Sequence, residues 1–298
     1  GSGRMPAGAG HLDGVRPSMN PGTLLGRSRA TALPVAVLCA ALLAGCLSST
    51  AGGGPRHAVP VRHDARRAPY DVEHYAIDLA LDPAARSIEA TCTVRLWATD
   101  GDLEQVQLDL SGLAVSEVRD GQGRALRWRQ AGETLVVELG PTLHAGDCAE
   151  ISIDYAGRPS RGLWFTDFED GVPTQVFTQG ECDDARAWFP CFDEPSDRAT
   201  SELRVRMPAD WVAVAAGERI ERVEPGDGTA SELWRMHVPH PPYLATLVAG
   251  EFEVIEQRYG DLPLAYLVEQ PWVEAAERAF AGTGDVLAFL EGLTGRRF

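Results

Sequence analysis

The sequence predicts a mainly β fold, an antiparallel β-sandwich or open barrel, because apolar and polar residues alternate along successive short runs. In the first run the apolar positions are Tyr75, Ile77, Leu79 and Leu81. A period of two places these side chains on one face of a strand. Gly, Asp and Pro residues separate the runs, as is typical of turns between strands. Since 44% of the 298 residues are hydrophobic, the chain is able to bury a substantial core.

The same alternation predicts further strands along the chain. They cover, in order, residues 92–96, 106–110, 135–139, 151–155, 203–207, 233–238 and 244–254. The run LPLAYLVE at 262–269 predicts one more strand. From Pro271 onward the apolar residues recur at helical spacing, which predicts a helix. These helical positions are Val273, Ala276, Phe280, Leu287 and Leu290.

The N-terminal segment has the composition of an export signal. Arg27 and Arg29 precede an apolar run at 30–43 that is too short to span a bilayer comfortably. The tetrapeptide LAGC at 43–46 resembles a bacterial lipobox, in which Cys46 becomes the lipidated first residue of the mature protein. We therefore expect an exported protein, lipid-anchored in the bacterial cell envelope on the periplasmic or outer-membrane side. The alternative is an ordinary signal peptide that contains a cysteine.

These patterns divide the chain into five parts. Residues 1–18 are interpreted as an upstream extension or cloning remnant, 19–45 as the lipoprotein signal and 46–69 as the lipidated cysteine with a Gly-, Pro- and Arg-rich flexible tether. Residues 70–258 form the predicted β domain. Residues 259–298 are expected to begin a second domain of different architecture, truncated at Phe298.

The charge balance excludes some partners. The chain has 43 acidic and 27 basic residues, which gives a formal net charge of −16. Such a field repels nucleic acid and anionic lipid headgroups and favours cationic or neutral ligands. We therefore expect no nucleic-acid partner, and contact with a membrane only through the lipid anchor.

The sequence contains no recognisable metal site. Cys92, Cys148, Cys182 and Cys191 lie outside the signal region, and no two of them have C-x-x-C spacing. Export would permit disulfides, but four cysteines allow three pairings and buried free thiols are an equal alternative. The seven histidines form no H-E-x-x-H motif, and Pro239 excludes a helical turn between His237 and His240.

An acidic motif, TQGECDDARAWFPCFDEP at 178–195, lies between two predicted strands. Pro190 and Pro195 fix the backbone of a turn, and the neighbouring aromatic residues are expected to pack that turn onto a sheet. Arg186 is suited to pair with one of the acids, so most of these carboxylates are expected to be structural. A charged carboxylate left in an apolar cavity would need a cation, and a ligand ammonium group would serve.

This motif resembles the signature of the aminopeptidase N family of zinc metallopeptidases, peptidase family M1. The resemblance extends in order through YDVEHYAIDLALD, RGLWFTDF and PYLATLVAGEFE, so that it covers about residues 70–298. It implies a saddle-like, antiparallel β-sandwich N-terminal domain, followed by the truncated start of an α/β thermolysin-like catalytic domain. It also implies that Glu181 binds the α-ammonium group of a peptide substrate and that Gln179 contacts the first residue or its backbone.

In the family, hydrolysis requires zinc held by H-E-x-x-H and a more distant Glu, and a G-x-M-E-N loop supplies a second acid for the amine. None of these motifs is present in the sequence, so no catalytic residue and no zinc ligand is assigned to this chain. The favoured hypothesis is the N-terminal part of a zinc-dependent aminopeptidase that acts on peptides with a free N-terminus. The alternatives are a non-catalytic β-sandwich lipoprotein that binds peptides or protein partners, and a structural module in which Glu181 is only a loop acid.

Overall fold

The computed structural model describes residues 67–166, 171 and 173–298, and these residues form a mainly β unit. The strands are, in chain order, β1 (Tyr70–Asp82), β2 (Ser87–Ala98), β3 (Leu103–Asp109), β4 (Ala114–Asp120), β5 (Arg127–Ala131), β6 (Thr134–Leu143), β7 (Cys148–Gly157), β8 (Leu163–Thr166), β9 (Gln175–Thr178), β10 (Ala199–Pro208), β11 (Val212–Ala215), β12 (Glu218–Val223), β13 (Thr229–His240), β14 (Leu247–Gly250), β15 (Glu253–Tyr259) and β16 (Leu262–Val268). Two helices follow, α1 (Val273–Phe280) and α2 (Thr283–Thr294).

The strands of this unit form four sheets. The largest has seven strands in the order β12-β13-β10-β1-β2-β7-β4, and a four-stranded sheet has the order β11-β14-β9-β8. A three-stranded sheet, β3-β6-β5, and the hairpin of β15 and β16 complete the set. The mainly β prediction is confirmed, and every predicted strand overlaps a strand of the structure.

One pairing in the large sheet differs from the antiparallel prediction. Strands β1 and β10 run parallel, with Ile77 opposite Leu203, whereas all other paired strands of the described residues are antiparallel. A parallel pair requires a long connection. Here the connection contains β2 to β9 and the acidic motif, so the motif enters the large sheet directly through β10.

The predicted strand at 244–254 is also interrupted. A short 3-10 helix, Pro242–Leu244, precedes β14, and β15 begins only at Glu253. Gly250 is the last residue of β14 and packs closely, since a Cβ atom there would lie 2.7 Å from the carbonyl oxygen of Thr174. Alternation of apolar residues continued across this break, and for that reason the sequence alone did not reveal it.

The hydrophobic core joins the three larger sheets. Its buried side chains come from the large sheet, for example Leu79 and Ile153, and from the three-stranded sheet, for example Leu108. The four-stranded sheet contributes Val176 and Leu247. Burial of this apolar surface is the main stabilising term for such a fold.

The segment predicted as one helix is helical, but Ala281 and Gly282 divide it into the two helices α1 and α2. The hairpin β15–β16 leads into α1 and α2, and Tyr266 of β16 stacks on Phe280 of α1 with ring centroids 4.4 Å apart. Within the described residues, no helix is both long and apolar enough to cross a membrane. The proposed boundary near residue 259 falls within this hairpin and stays a prediction.

Candidate functional site

The acidic motif connects β9 to β10 and has an exposed half and a buried half. Gln179, Glu181, Cys182 and Asp183 are exposed, whereas nearly every residue at 185–193 is buried. A short 3-10 helix, Ala185–Ala187, lies at the change from one half to the other. The buried half anchors the motif to the core, and the exposed half presents its side chains to solvent.

Aromatic residues fix the buried half to the large sheet. Trp188 and Phe189 are almost fully buried and lie against each other, with ring centroids 4.5 Å apart. Phe189 and Tyr75 of β1 pack edge to face, with ring centroids 5.5 Å apart. The hydroxyl group of Tyr155 on β7 donates a hydrogen bond to the carbonyl oxygen of Trp188 at 3.1 Å. The prediction that these aromatics pack the turn onto a sheet is confirmed.

Arg186 pairs with an acid of the motif, as the sequence predicted, and that acid is Asp193. The Nε atom of Arg186 donates to Oδ2 of Asp193 at 3.0 Å, and the backbone N–H of Arg186 donates to the same oxygen at 3.2 Å. The backbone N–H of Asp193 donates in turn to Oδ2 of Asp109, which lies at the end of β3. Burial raises the pKa of Asp193, and the hydrogen bonds from Arg186 oppose that rise.

Asp197, two residues after the motif, contacts β1. Its carboxyl group is 6% exposed and accepts long hydrogen bonds from the backbone N–H of Val72 at 3.5 Å and the hydroxyl group of Tyr75 at 3.4 Å. The oxygen of Tyr75 accepts a hydrogen bond from the backbone N–H of Phe192 at 3.1 Å. Burial, reinforced by the charge of Asp71, raises the pKa of Asp197 to about 7.

Two acids of the exposed half are also paired. Nη1 of Arg161 lies 2.7 Å from Oδ1 of Asp184, and Nη2 of Arg161 lies 2.6 Å from Oε1 of Glu133. Asp183 lies 3.7 Å from Arg186. The expectation that acids of the motif are structural is therefore confirmed for Asp184 and Asp193, whereas Asp183 is largely exposed and makes only the longer contact with Arg186.

Glu181 lies at the tip of a five-residue turn. The backbone N–H of Asp184 donates to the carbonyl oxygen of Gly180 at 3.0 Å and closes the turn, and the backbone N–H of Gln179 donates to the carbonyl oxygen of Gly162 at 2.9 Å. The carboxylate of Glu181 is exposed and has no hydrogen bond or ion pair to any residue that the structure describes. Glu194 also lacks such a side-chain partner, but it lies on the partly buried side of the motif.

The described residues do not form a metal centre. No group of three or more His, Cys, Asp or Glu residues at 67–166 or 173–298 is arranged to hold a metal ion. His240 is buried beside the hydroxyl group of Ser201, and His237 lies 3.5 Å from Glu218. A zinc ion therefore finds no ligand set in this part of the chain, and no chemical step is assigned to it here.

Several residues of the site were not identified from the sequence. Asp109, Glu133 and Arg161 come from three other segments of the chain and meet the motif only in the folded protein. Arg161 begins the RGLWFTDF segment, and its place in the family resemblance was the only available signal. Sequence spacing gives no indication that this arginine reaches Asp184.

A family model for the peptidase M1 N-terminal domain matches residues 71–244, which is more than half of the chain. The chain belongs to this M1 N-terminal domain family. The matched region begins in β1 and ends in the short helix Pro242–Leu244, so it contains the whole acidic motif together with Asp109, Glu133 and Arg161. The family resemblance inferred from the motif is confirmed.

Curated relatives of this M1 domain are aminopeptidases. Aminopeptidase RNPEPL1 of Mus musculus is 30% identical over 168 residues, a match that covers 50% of this chain and 22% of that protein. Aminopeptidase N of Acetobacter pasteurianus is 25% identical over 211 residues and is matched over 69% of this chain and 58% of its own length. The chain therefore spans less than two thirds of the relatives that it matches.

Solved M1 structures have the same fold over most of the described residues. A two-domain M1 zinc metallopeptidase mutant bound to L-tryptophan superposes with a TM-score of 0.59 at 25% identity, covering 67% of this chain and 48% of the other. The M1 zinc metallopeptidase of Deinococcus radiodurans gives a TM-score of 0.56 at 26% identity, over 67% of this chain and 47% of the other. A mutant of the Deinococcus radiodurans enzyme was crystallised with a Tyr-Ser-Ala substrate and gives a TM-score of 0.57.

The predicted lipidation site is outside this comparison. Cys46 and the signal segment at 19–45 lie outside the described residues. The export and anchoring predictions therefore stay predictions.

Proposed function

We propose that this chain is the N-terminal part of a zinc-dependent aminopeptidase that releases N-terminal residues from peptides. Its role is to present Glu181 to the α-ammonium group of the substrate, with Gln179 beside the first residue or its backbone. The observation that carries the proposal is that the carboxylate of Glu181 is exposed and unpaired among the described residues. Four of the neighbouring acids are paired within the protein, whereas Glu181 is exposed on a closed turn without a partner among the described residues.

The chemistry of a carboxylate suits this role. A fixed carboxylate accepts charge-assisted hydrogen bonds from an ammonium group, and these are stronger than neutral hydrogen bonds. A peptide with a blocked amine cannot form them, so the site would select substrates with a free N-terminus. Holding the amine in one place also positions the first peptide bond for attack.

The support for zinc is that solved M1 structures similar to this chain are zinc metallopeptidases. In M1 enzymes the metal polarises the scissile carbonyl group and activates water. The residues described here offer no ligand set for it, so the proposal places the metal ligands in a part of the protein beyond this sequence. Reading the coding DNA downstream of Phe298 tests this directly. An open frame with H-E-x-x-H and G-x-M-E-N is expected, and a stop codon would favour a non-catalytic β module.

The role of Glu181 is tested by Glu181→Ala and Glu181→Gln in the complete zinc-loaded protein. We expect kcat/KM for peptides with a free N-terminus to fall on the order of 10- to 100-fold, the range expected for loss of a hydrogen bond to a charged group. The selectivity for free over N-acetylated peptides should shrink by a similar factor. Steady-state kinetics on both substrate types measure this change.

Glu194→Ala is the matched control, because Glu194 belongs to the same motif and also lacks a described side-chain partner. Its kinetics should stay within about twofold of those of the unmodified protein, as expected for a surface substitution. Unchanged kinetics in both Glu181 variants would refute the assignment of Glu181 as the amine anchor.

We further propose that the protein is exported and anchored through a lipid on Cys46. The support is the lipobox resemblance at 43–46 behind the basic and apolar signal segment. Cys46→Ala should move the protein from the membrane fraction to the soluble fraction without changing its circular dichroism spectrum. A Cys46→Ala protein that stays with membranes after a high-salt wash would contradict the anchor.

A further inference from the structure

We propose that Arg161 is a positioning residue for amine binding, because its guanidinium group ties the turn that carries Glu181 to the rest of the β unit. The inference rests on the proposed role of Glu181. It assigns a function to an arginine that lies outside the acidic motif and whose polar side-chain contacts are with Asp184, Glu133 and Ser111.

The guanidinium group of Arg161 bridges two carboxylates from different segments. Nη1 lies 2.7 Å from Oδ1 of Asp184 in the motif, and Nη2 lies 2.6 Å from Oε1 of Glu133 in the turn between β5 and β6. The hydroxyl group of Ser111 donates to the same oxygen of Glu133 at 2.8 Å. Glu133 is therefore held in place, and Asp184 is fixed through Arg161.

The residue after Arg161 supports the other end of the turn. The carbonyl oxygen of Gly162 accepts a hydrogen bond from the backbone N–H of Gln179 at 2.9 Å. A Cβ atom on Gly162 would lie 2.2 Å from the carbonyl oxygen of Asp184, so the two backbones are in direct contact. Arg161 and Gly162 thus contact the turn on both sides of Glu181, at Asp184 and at Gln179.

The second arginine of the region has a different task. Arg186 makes its close contacts with Asp193 on the buried side, and its separation from Asp183 is 3.7 Å. Loss of Arg186 would disturb the packed half of the motif. Among the residues that the structure describes, it is Arg161, and not Arg186, that lies within 3 Å of an acid in the exposed half, namely Asp184.

Arg161 should matter more for geometry than for stability. Its side chain is 34% exposed, and ion pairs of this kind contribute about 0–1 kcal/mol to folding. A carboxylate that must meet an ammonium group is far more sensitive, since a displacement of about 1 Å can cost on the order of 100-fold in rate. A variant of Arg161 should therefore fold normally and bind the amine poorly.

Arg161→Ala and Arg161→Lys in the complete zinc-loaded protein test the proposal, with Arg119→Ala as the matched control. Arg119 also bridges two acids, Glu117 at 2.5 Å and Asp154 at 2.7 Å, and its side chain is 28% exposed, but it lies on β4. For free-amine peptides we expect kcat/KM to fall about tenfold in Arg161→Ala, mostly through KM, and less in Arg161→Lys, which keeps the charge. Arg119→Ala should show no such loss.

A double variant distinguishes positioning from an independent effect. If Arg161 acts through Glu181, the Arg161→Ala/Glu181→Ala protein should have the same kcat/KM as Glu181→Ala alone. Additive losses in the double variant would overturn the proposal. Equal behaviour of Arg161→Ala and Arg119→Ala would overturn it as well.

Amide hydrogen exchange separates failure of this inference from failure of the proposed function. In Arg161→Ala, exchange at 179–184 should accelerate about tenfold relative to Arg119→Ala, with no change in β1 and β2. If Glu181→Ala leaves the kinetics unchanged, the proposed function fails, and exchange still decides whether Arg161 holds the turn. Equal exchange at 179–184 in the two arginine variants would show that it does not.

Discussion

Asp197 is a buried carboxyl group whose hydrogen bonds do not offset its removal from water. Its two donors, the backbone of Val72 and the hydroxyl group of Tyr75, lie at 3.5 and 3.4 Å. The nearby charge of Asp71 opposes ionisation further, so the pKa rises from 3.8 to about 7. No basic side chain among the described residues offsets the effect of burial on this pKa, so the folded protein favours the protonated form of Asp197 at mildly acidic pH.

This burial predicts a pH-dependent stability. The folded protein holds the proton of Asp197 more tightly than the unfolded chain does, because the folded pKa is the higher one. The stabilisation of the fold that comes from this tighter proton binding is fully present below a pH of about 4 and is lost as the pH rises through about 7. The side chain of Asp197→Asn is neutral at every pH. Between pH 5 and pH 8 the urea concentration at the unfolding midpoint should therefore fall less for this variant than for the unmodified protein.

Asp210→Asn is a suitable control, because Asp210 is an exposed acid outside the motif. Its urea midpoint should follow the pH profile of the unmodified protein. The comparison is a series of urea unfolding curves followed by tryptophan fluorescence. Identical pH profiles for Asp197→Asn and the unmodified protein would refute the assigned pKa.

At the scale of the secondary-structure elements, an ion pair with a buried acid links the edge strand β12 to its neighbour β13. Glu232 on β13 is 0% exposed, and its Oε1 atom lies 2.8 Å from Nη1 of Arg222 on β12. The same arginine donates to the carbonyl oxygens of Ala209 and Trp211, and Oε2 of Glu232 accepts a hydrogen bond from the indole of Trp234. The pair thus joins β12 to β13 and to the loop before β11.

Loss of the buried acid should be costly. Glu232→Ala leaves the Trp234 indole without its acceptor and removes from Arg222 its one buried carboxylate partner. Breaking a buried pair by removing one partner costs about 3–5 kcal/mol. Because Arg222 is 23% exposed, we expect the lower end, about 3 kcal/mol of unfolding free energy. Chemical denaturation of Glu232→Ala measures this loss.

The control removes the other acid that contacts the same arginine. Glu224 lies 2.8 Å from Nε of Arg222, but its side chain is 57% exposed. Glu224→Ala should change the free energy of unfolding by roughly 0.5 kcal/mol or less, as for surface ion pairs. Equal losses in the two variants would show that burial does not set the strength of these pairs.

At the scale of the whole molecule, the cysteines divide into a buried and an exposed pair. The four described cysteines are all free; Cys92 and Cys191 are buried, whereas Cys148 and Cys182 are exposed. Burial raises the pKa of the thiols of Cys92 and Cys191, which disfavours the reactive thiolate. The question of disulfides among these residues, which the sequence left open, is answered by four free thiols.

Alkylation mapped by mass spectrometry checks this division. In the folded protein, iodoacetamide should label Cys148 and Cys182, and Cys92 and Cys191 should be labelled only after unfolding in urea. A reductant should leave the labelling pattern of these four positions unchanged. Rapid labelling of Cys92 in the folded protein, or a disulfide-linked peptide containing it, would contradict the structure.

Much of the acidic site was predictable because its chemistry is local. The residue types predicted that Arg186 pairs with one of the nearby acids of the motif. The structure identifies that acid as Asp193, seven positions away. The same holds for the aromatic residues that pack the turn onto the large sheet. The motif also identified the family, because its residues occur at fixed spacing within one segment.

The tertiary structure alone decided which acids of the motif are paired and that Glu181 is exposed without a partner among the described residues. Arg161, Glu133 and Asp109 lie up to 84 positions from the motif residues that they contact. No local sequence pattern encodes contacts over such separations.

The sequence by itself thus determined the mainly β class, the predicted strands and the family, since alternation and motif spacing are properties of short segments. The parallel pairing of β1 with β10 and the isolation of Glu181 on its turn depend on chain segments brought together only by burial of the common core.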